Sequence, residues 1–459
     1  MSLIRSNLSK WRRAIISNSL EKLSLLQQWQ WLEVNQIQAL QQERLTRLLY
    51  HAYDHVPYYR NIIRSSGVIN DSREINLKKF SRMPLLDKNT IRSRFEDMKS
   101  DDLIKRKWYK NTSGGSTGEP VTFIQDMNYH SWSTATTILN DSWTEYSPSE
   151  RKVFLWGSVR DLFVGSETFK IRLVRWINNE LWLNAFQMTV DKMREYVQNI
   201  NSFKPVQILA YVESIYELSC FIEQEGLRIY SPRAIMTSAG TLFPHMRETI
   251  EKVFRAPVFN RYGSREVGNI ACECDRHNGL HIASPVNFVE VLRPDGKQAD
   301  AGETGEIVVT SLTNLAMPLI RYRIGDIGTW AKDTCNCGRG WPILQKVSGR
   351  VTDVFLTCGG GVVSPEYFIH LIGVVLNTGW IRKYQVVQED YEHIRIKIVL
   401  HEKVTNPLKV YEKTIESIKQ KIVLVMGEGC KVELIFVDDI PSSASGKYRY
   451  TISKIKRRH

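Results

Sequence analysis

Residues 111–120 read Asn-Thr-Ser-Gly-Gly-Ser-Thr-Gly-Glu-Pro, and this stretch decides how the rest of the chain is interpreted. Its glycines let the backbone approach a ligand closely, and freed backbone N–H groups form an anion-binding concavity. Hydroxyl donors come from Thr112, Ser113, Ser116 and Thr117. The loop is not a Walker A motif, because Glu119-Pro120 follows Gly118 where Lys-Ser/Thr would stand. Taken alone it indicates either phosphate binding or a flexible polar loop.

Four further motifs follow this loop in order. They are Tyr262-Gly-Ser-Arg-Glu266, Asp326 within Arg321-Tyr-Arg-Ile-Gly-Asp, Gly349-Arg350, and Lys447 within Pro441-Ser-Ser-Ala-Ser-Gly-Lys-Tyr-Arg449. Each has a plain interpretation on its own: a surface acid, a turn former or a loop lysine. Their order behind a phosphate-type loop argues against chance and favours one nucleotide site.

Composition limits the class of protein. The 459 residues carry 62 Lys+Arg against 49 Asp+Glu, a formal charge of +13, and suit two or three domains. No apolar run reaches the ~20 residues of a membrane span, which excludes an integral membrane protein. The first 20 residues lack a secretory apolar core, and seven cysteines are an odd number. We therefore expect a cytoplasmic protein with at most peripheral membrane contact.

The residue pattern predicts two domains. Residues 1–66 form a largely helical segment, strands and helices alternate over 128–254, and short strands follow over 289–330. After residue 348 the pattern changes to alternating strands and one helix, with Leu408, Tyr411, Ile415, Ile418 and Ile422 on the helix face. We expect a core at 1–348, with the phosphate loop at 111–120, and a small α+β domain at 349–459.

With these motifs the sequence resembles the adenylate-forming superfamily. More narrowly, it resembles the phenylacetate–CoA ligase family and its CapK-type capsular-polysaccharide branch, from Leu48 to the terminal Ser-Gly-Lys-Tyr-Arg. The resemblance implies a large N-terminal α/β domain and a small mobile C-terminal α+β domain. It also implies an ATP-dependent, AMP-forming ligase that adenylates a carboxylic acid and passes the acyl group to a thiol.

The resemblance also implies residue roles. A phosphate-binding role falls on Thr112, Ser113, Gly114, Gly115, Ser116, Thr117 and Gly118. Tyr262 and Gly263 would line the adenine and α-phosphate region, and Glu266 would hold Mg²⁺. Asp326 would accept hydrogen bonds from the ribose, and Arg350 would add a ribose or phosphate contact. Lys447 would neutralise charge developing on the α-phosphate and the substrate carboxylate.

Three positions depart from the family pattern. The loop has Gly114-Gly115 where most relatives have one glycine, and Thr352-Asp353 stands where the hinge usually has two acids. Ala239-Gly240-Thr241 replaces an Ala-Glu pair beside the acyl pocket. Trp156, Phe163, Tyr211 and Phe243 also lie where relatives line the acyl pocket. Aromatic residues belong more often to a core than to a pocket, however.

Cysteines and histidines between 272 and 337 indicate a structural zinc site. Zinc in such sites takes four N or S ligands. Cys274, His281, Cys335 and Cys337 supply such a set, and similar sets bind zinc in phenylacetate–CoA ligase-like proteins. Cys272 or His277 can substitute, and buried unliganded cysteines are the other interpretation.

The acyl acceptor, the acid and the oligomeric state stay open. CoA or a phosphopantetheine carrier protein is the first choice, and an amine or hydroxyl of a surface-polysaccharide precursor is the second. A basic nucleic-acid-binding protein is the candidate from another class. The sequence has no RNA- or DNA-binding signature, so we expect no nucleic-acid partner.

Overall fold

The computed structural model divides the chain into two compact units, Met1–Val347 and Ser348–His459. It describes residues 18–112, 121–156, 169–185, 188, 190–350, 355–358, 362–363, 368, 371–372, 376, 380–401, 404–441 and 449–455. In this part of the chain, no helix combines the length and the apolar character needed to cross a bilayer.

Helices dominate the first 65 described positions. The helices of the first unit are α1 (18–29), α2 (Val34–His55), α3 (Pro57–Ser65), α4 (Lys88–Ser93), α5 (Met127–Ser142), α6 (Phe169–Ile177), α7 (Val190–Phe203), α8 (Val212–Gln224) and α9 (Pro244–Phe254), with 3₁₀ turns at Leu77–Arg82 and Leu103–Lys105. Helix α2 begins with a capping box between Glu33 and Gln36 and buries Leu45, Leu48 and Leu49. Leu48 and Leu49 follow Leu45 at spacings of three and four residues, so the three leucines form one buried face of α2.

Within the described residues, eleven strands of the first unit form one mixed sheet in the order β10-β11-β12-β13-β9-β8-β7-β6-β5-β3-β4. Their bounds are β3 (Lys152–Trp156), β4 (Glu180–Asn184), β5 (Gln207–Tyr211), β6 (Ala234–Ser238), β7 (Val258–Ser264), β8 (Gly268–Glu273), β9 (Leu280–Ile282), β10 (Asn287–Leu292), β11 (Thr304–Ser311), β12 (Tyr322–Trp330) and β13 (Ile343–Arg350).

Strand β7 is where the character of this sheet changes. It runs parallel to β6, as β3, β4, β5 and β6 run parallel to one another, but it is antiparallel to β8. The parallel half is the region of predicted strand–helix alternation, and its strands β5 and β6 are buried along their whole length. A separate antiparallel hairpin, β1 (Trp108–Thr112) with β2 (Thr122–Asp126), flanks the stretch 113–120.

The second unit is an α+β layer. In its described part, a four-stranded sheet has the order β18-β17-β16-β19, from β16 (Ile381–Gln388), β17 (His393–Leu400), β18 (Lys431–Phe436) and β19 (Thr451–Ser453). A short hairpin joins β14 (Phe355–Leu356) to β15 (Val362–Val363). The described helices of this unit include α10 (Pro407–Val410) and α11 (Glu412–Met426).

The predicted helix of this unit is only partly correct. Ile415, Ile418 and Ile422 are buried on α11, as their spacing indicates, and they pack against the strands. Leu408 is not part of that face, because the helix is interrupted at Tyr411 and Leu408 lies 54% exposed on the separate α10. Pro407 begins α10, since proline suits the first turn of a helix.

A buried ion pair stabilises the parallel half. The Lys152 ammonium donates to the Asp141 carboxylate at 2.7 Å, and both side chains are less than one-tenth exposed. Gln207 donates to Thr144 Oγ1 at 2.7 Å and to Asp141 at 3.4 Å. Burial lowers the pKa of Lys152 from its ordinary value. The pair thus depends on mutual compensation in a region that excludes water.

We predict that Lys152→Met destabilises the protein by ~3–5 kcal/mol, because it leaves the Asp141 carboxylate buried without its cation. The measurement is the urea midpoint followed by tryptophan fluorescence. Adding Asp141→Asn should recover part of the loss. Lys192→Met is the control, since its 2.7 Å pair with Glu195 is exposed. Equal shifts for Lys152→Met and Lys192→Met would contradict the prediction.

Candidate functional site

The hairpin that carries the glycine-rich loop is tied to the turn that carries Glu266. Asn111 donates to the Gln125 side-chain oxygen at 3.0 Å. The Gln125 amide donates in turn to the carbonyl oxygens of Arg265 at 2.8 Å and Glu266 at 3.2 Å. Thr112 ends β1 opposite Thr122. Other predicted loop residues lie outside the described residues: Ser113, Gly114, Gly115, Ser116, Thr117 and Gly118.

Tyr262 and Asp326 meet although 64 residues separate them in sequence. The Tyr262 hydroxyl donates to Asp326 Oδ2 at 2.8 Å, which joins β7 to β12 and orients the carboxylate. Gly263 follows in β7, and a Cβ there would lie 2.5 Å from the Gly268 carbonyl oxygen. The hairpin between β7 and β8 therefore closes only with glycine at this position.

Glu266 is a buried carboxylate, 6% exposed, in the turn between β7 and β8. The Tyr322 hydroxyl donates to its Oε1 at 3.2 Å, and the Lys88 ammonium lies 3.9 Å from the same atom. Carboxylate oxygens are ligands that Mg²⁺ accepts, and Tyr322 and Lys88 hold this carboxylate in one orientation.

Lys88 and Tyr322 are site residues that the sequence reasoning did not single out. Tyr322 stands inside the Arg321–Asp326 motif, so its position was a usable signal. Lys88 carries a weaker signal, because it only follows Asp87, whose side chain caps α4.

Several predicted site residues are not among the side chains that the structure describes. Arg350 ends β13, and nothing is described of its side chain. Lys447, the hinge pair Thr352-Asp353 and Phe163 lie outside the described residues. Their roles remain predictions from the resemblance.

Four predicted metal ligands converge in the first unit. The ligand atoms of Cys274, His281, Cys335 and Cys337, here called the Cys/His cluster, all lie within 4.8 Å of one another. Cys274 Sγ is 3.8 Å from Cys335 Sγ, and Cys337 Sγ is 3.4 Å from His281 Nε2. His281 Nδ1 lies 3.3 Å from the Trp341 carbonyl oxygen, which leaves Nε2 facing the thiols.

The two substitute ligands lie elsewhere. The Cys272 thiol is directed to the Glu273 carbonyl oxygen at 3.5 Å. His277 Nδ1 is 3.3 Å from Glu273 Oε2, and Arg247 binds that carboxylate through two hydrogen bonds. The structure therefore places Cys274 and His281, and not Cys272 or His277, together with Cys335 and Cys337.

Burial dominates the electrostatics of the Cys/His cluster. It raises the pKa of Cys274 to about 12, raises that of Cys335, and lowers that of His281 to about 4. For Cys337 burial acts in the same raising direction, but hydrogen bonds from Arg339 outweigh it and the pKa falls. His281 is therefore neutral at pH 7, as a metal-binding imidazole must be.

Aromatic side chains mark the carboxyl ends of β3 and β5. The rings of Trp156 and Tyr211, the last residues of these strands, lie 4.0 Å apart. Phe243 stacks on His245 at 6.0 Å, at the start of α9. In open α/β sheets ligands bind beyond the carboxyl ends of the parallel strands, so these positions suit an acyl pocket.

The chain is similar to known proteins over most of its length. The model of the CapK C-terminal domain matches residues 355–454. Protein CapK of Staphylococcus aureus is 24% identical over 433 residues, covering 92% of this chain and 91% of that protein. The phenylacetate-coenzyme A ligase of Thermus thermophilus is 25% identical over 455 residues, covering 90% of this chain and 95% of that protein.

The fold has solved counterparts. The crystal structure of a 2-hydroxyisobutyryl-CoA ligase in the postadenylation state superposes with a TM-score of 0.71 at 18% identity, covering 93% of this chain and 91% of that one. The predicted fold class, an α/β core followed by an α+β domain as in adenylate-forming proteins, is confirmed. The resemblance to phenylacetate–CoA ligases and CapK is confirmed as well.

We predict that Gly263→Ala lowers the thermal midpoint by several degrees, because the new methyl group meets backbone atoms of Gly268 and Asn269 that cannot move aside. Overpacking of this kind costs about 1–3 kcal/mol. The measurement is differential scanning calorimetry. Gly429→Ala is the control, since a Cβ there meets nothing within 4 Å. An unchanged midpoint for Gly263→Ala would show that the turn tolerates a side chain.

Proposed function

We propose that this chain, which has the adenylate-forming fold and resembles phenylacetate–CoA ligases and CapK over most of its length, is an ATP-dependent, AMP-forming acid–thiol ligase. The observation that carries the proposal is the Gln125 bridge. It ties Asn111, at the stem of the glycine-rich loop, to the turn that carries Glu266, a carboxylate able to hold Mg²⁺.

The nucleotide roles in this proposal are those that the family resemblance implies. The loop from Thr112 to Gly118 binds the β- and γ-phosphates of ATP. Asp326, oriented by Tyr262, accepts hydrogen bonds from the ribose hydroxyls. Tyr262 and Gly263 line the adenine and α-phosphate region, and Arg350 adds a ribose or phosphate contact. Glu266 holds Mg²⁺, which neutralises charge on the phosphate oxygens.

Two displacements make up the reaction. A carboxylate oxygen attacks the α-phosphorus, the bond to the β-phosphate oxygen breaks, and pyrophosphate leaves. A thiolate then attacks the carbonyl carbon of the acyl-adenylate and AMP leaves. Lys447 supplies the cation that stabilises the first transition state.

The acceptor that similarity favours is CoA, because relatives bear the names phenylacetate-coenzyme A ligase and 2-hydroxyisobutyryl-CoA ligase. A carrier-protein phosphopantetheine offers the same thiol. The resemblance to the CapK-type capsular-polysaccharide branch implies a second candidate acceptor, an amine or hydroxyl of a surface-polysaccharide precursor, and residues 355–454 match the CapK C-terminal domain. Either reaction uses ATP, and we place it in the cytoplasm.

We predict that Lys447→Ala lowers carboxylate-dependent exchange of labelled pyrophosphate into ATP by about a hundredfold to a thousandfold. The cause is the loss of a cation from the adenylation transition state, so the melting temperature should stay unchanged. Lys413→Ala, on the exposed face of α11, is the matched control and should exchange normally. Normal exchange by Lys447→Ala would refute the proposed role.

The Cys/His cluster binds a structural Zn²⁺ in this proposal. Ligands of a tetrahedral zinc at ~2.3 Å lie about 3.8 Å apart, and the Cys274–Cys335 sulfur separation is 3.8 Å. Four protein ligands leave no open position for a substrate, so the ion has a structural role. It would join the end of β8 and strand β9 to the segment between β12 and β13.

We predict about one zinc per purified chain by elemental analysis. Cys335→Ser should lose most of the zinc and melt at a lower temperature, because a ligand is gone. Cys272→Ser is the control, since its thiol points to a backbone carbonyl outside the cluster. Purified protein that folds without near-stoichiometric zinc would disprove the assignment.

A further inference from the structure

An acidic side chain lies at the carboxyl edge of the parallel strands, where the acyl pocket is expected. Glu213 is in the first turn of α8, two residues after Tyr211 ends β5. A Cβ built on Gly240 would lie 2.5 Å from both Glu213 carboxylate oxygens. The carboxylate of Glu213 therefore fills the space that a side chain at position 240 would use.

Gly240 belongs to the Ala239-Gly240-Thr241 segment, which departs from the Ala-Glu of the family pattern. The segment turns sharply after β6, since Ala239 has a left-handed φ of 62°. The family's acidic side chain is absent here, and an acid from the neighbouring strand end stands against the same backbone. Judged from Ala239-Gly240-Thr241 alone, the acyl pocket would have no acidic side chain at this position.

Register places this carboxylate next to the nucleotide half of the site. Tyr211 at the end of β5 pairs with Ser238 at the end of β6. Thr237 of β6 pairs with Asn260 of β7, two residues before Tyr262. The turn with Gly240 thus follows β6 alongside the part of β7 that carries Tyr262 and Gly263. An acyl group joined to the α-phosphate has to lie at this edge.

Two features of the surroundings suit an ammonium group. Glu213 is in the first turn of α8, at the positive end of the helix dipole, where acidic side chains are common. The rings of Trp156 and Tyr211 end the two strands beside it, and aromatic faces attract cations. A carboxylate offers about four acceptor positions, so contacts that Glu213 already makes are compatible with a further hydrogen bond.

We propose that Glu213 makes the acyl pocket selective for acids that carry a protonated amine, so that the substrate class is amino acids. The inference rests on the proposed adenylation. Glu213 accepts hydrogen bonds from the substrate ammonium, and Gly240 leaves the room that the carboxylate needs. A second carboxylate on the substrate is repelled from the same position.

Pyrophosphate exchange with matched acids tests this inference. The series pairs each amino acid with the acid that lacks only its amine: alanine with propionate, phenylalanine with 3-phenylpropionate, and β-alanine with propionate. We expect exchange with one or more amino acids and weak exchange with the amine-free partners. Glu213→Gln should raise KM for the preferred amino acid by about tenfold or more, with a smaller change in kcat.

Controls separate charge from folding. Glu213→Gln keeps the side-chain shape, and its melting temperature should match the wild type. Glu248→Gln, exposed on α9, should leave KM unchanged. Gly240→Ala should raise KM in the same direction as Glu213→Gln, because its methyl group displaces the carboxylate.

Each outcome has a distinct meaning. Equal or faster exchange with the amine-free acids would overturn the inference and leave the proposed ligase function standing. An unchanged KM for the amino acid in Glu213→Gln would also overturn the inference. Exchange with no acid in a wider screen of aromatic, short-chain, amino and sugar acids would overturn the proposed function itself, and the inference with it.

Discussion

The candidate site depends on how closely β7 and β8 approach each other at Gly263. The Gly268 carbonyl oxygen would be 2.5 Å from a Cβ at this position, so only glycine lets the hairpin close. The closed hairpin brings Tyr262 to Asp326 and buries Glu266 against Tyr322. Since β7 also bonds to the parallel strand β6, the same strand joins both halves of the sheet.

Buried charge is compensated wherever the site requires it. Glu266 is nearly inaccessible, yet a lysine ammonium and a tyrosine hydroxyl lie beside it. Arg321, next to Tyr322, pairs with buried Glu290 through two hydrogen bonds at 3.0 and 3.1 Å. These pairs hold their side chains in one arrangement, because removing either partner leaves an uncompensated charge away from water. The Glu266 carboxylate is thereby held in one orientation by Lys88 and Tyr322.

The sequence predicts which residue types matter better than it predicts their partners. Tyr262, Glu266 and Asp326 belong to short local motifs, so the sequence alone nominates them, and the structure adds the partners of each. The sequence selects Cys274 and leaves Cys272 open as a substitute. The structure separates the two, because the Cys272 thiol points to the Glu273 carbonyl oxygen whereas Cys274 lies with the other three ligands. Lys88 reaches Glu266 across 178 positions, and no local pattern encodes such a contact. The interruption at Tyr411 was missed because hydrophobic spacing continues through a break between two helices.

In the proposed function, nucleotide binding and acyl selection use different strands of the same sheet. The motif residues Tyr262 and Asp326 lie on β7 and β12. Trp156 and Tyr211 end β3 and β5, and Gly240 follows the end of β6. Adenylation uses ATP whatever the acid is. Tyr262 and Asp326 therefore have one ligand to bind, whereas the residues at the ends of β3, β5 and β6 would have to suit different acids. A substitution on β5 or β6 can thus change the acid without disturbing the Tyr262–Asp326 contact. The replacement of Ala-Glu by Ala-Gly-Thr, with Glu213 against the glycine, is such a substitution: it lies beside the acyl pocket and leaves the Tyr262–Asp326 contact intact. It follows that similarity to phenylacetate–CoA ligases is informative about the adenylate and says little about the acid.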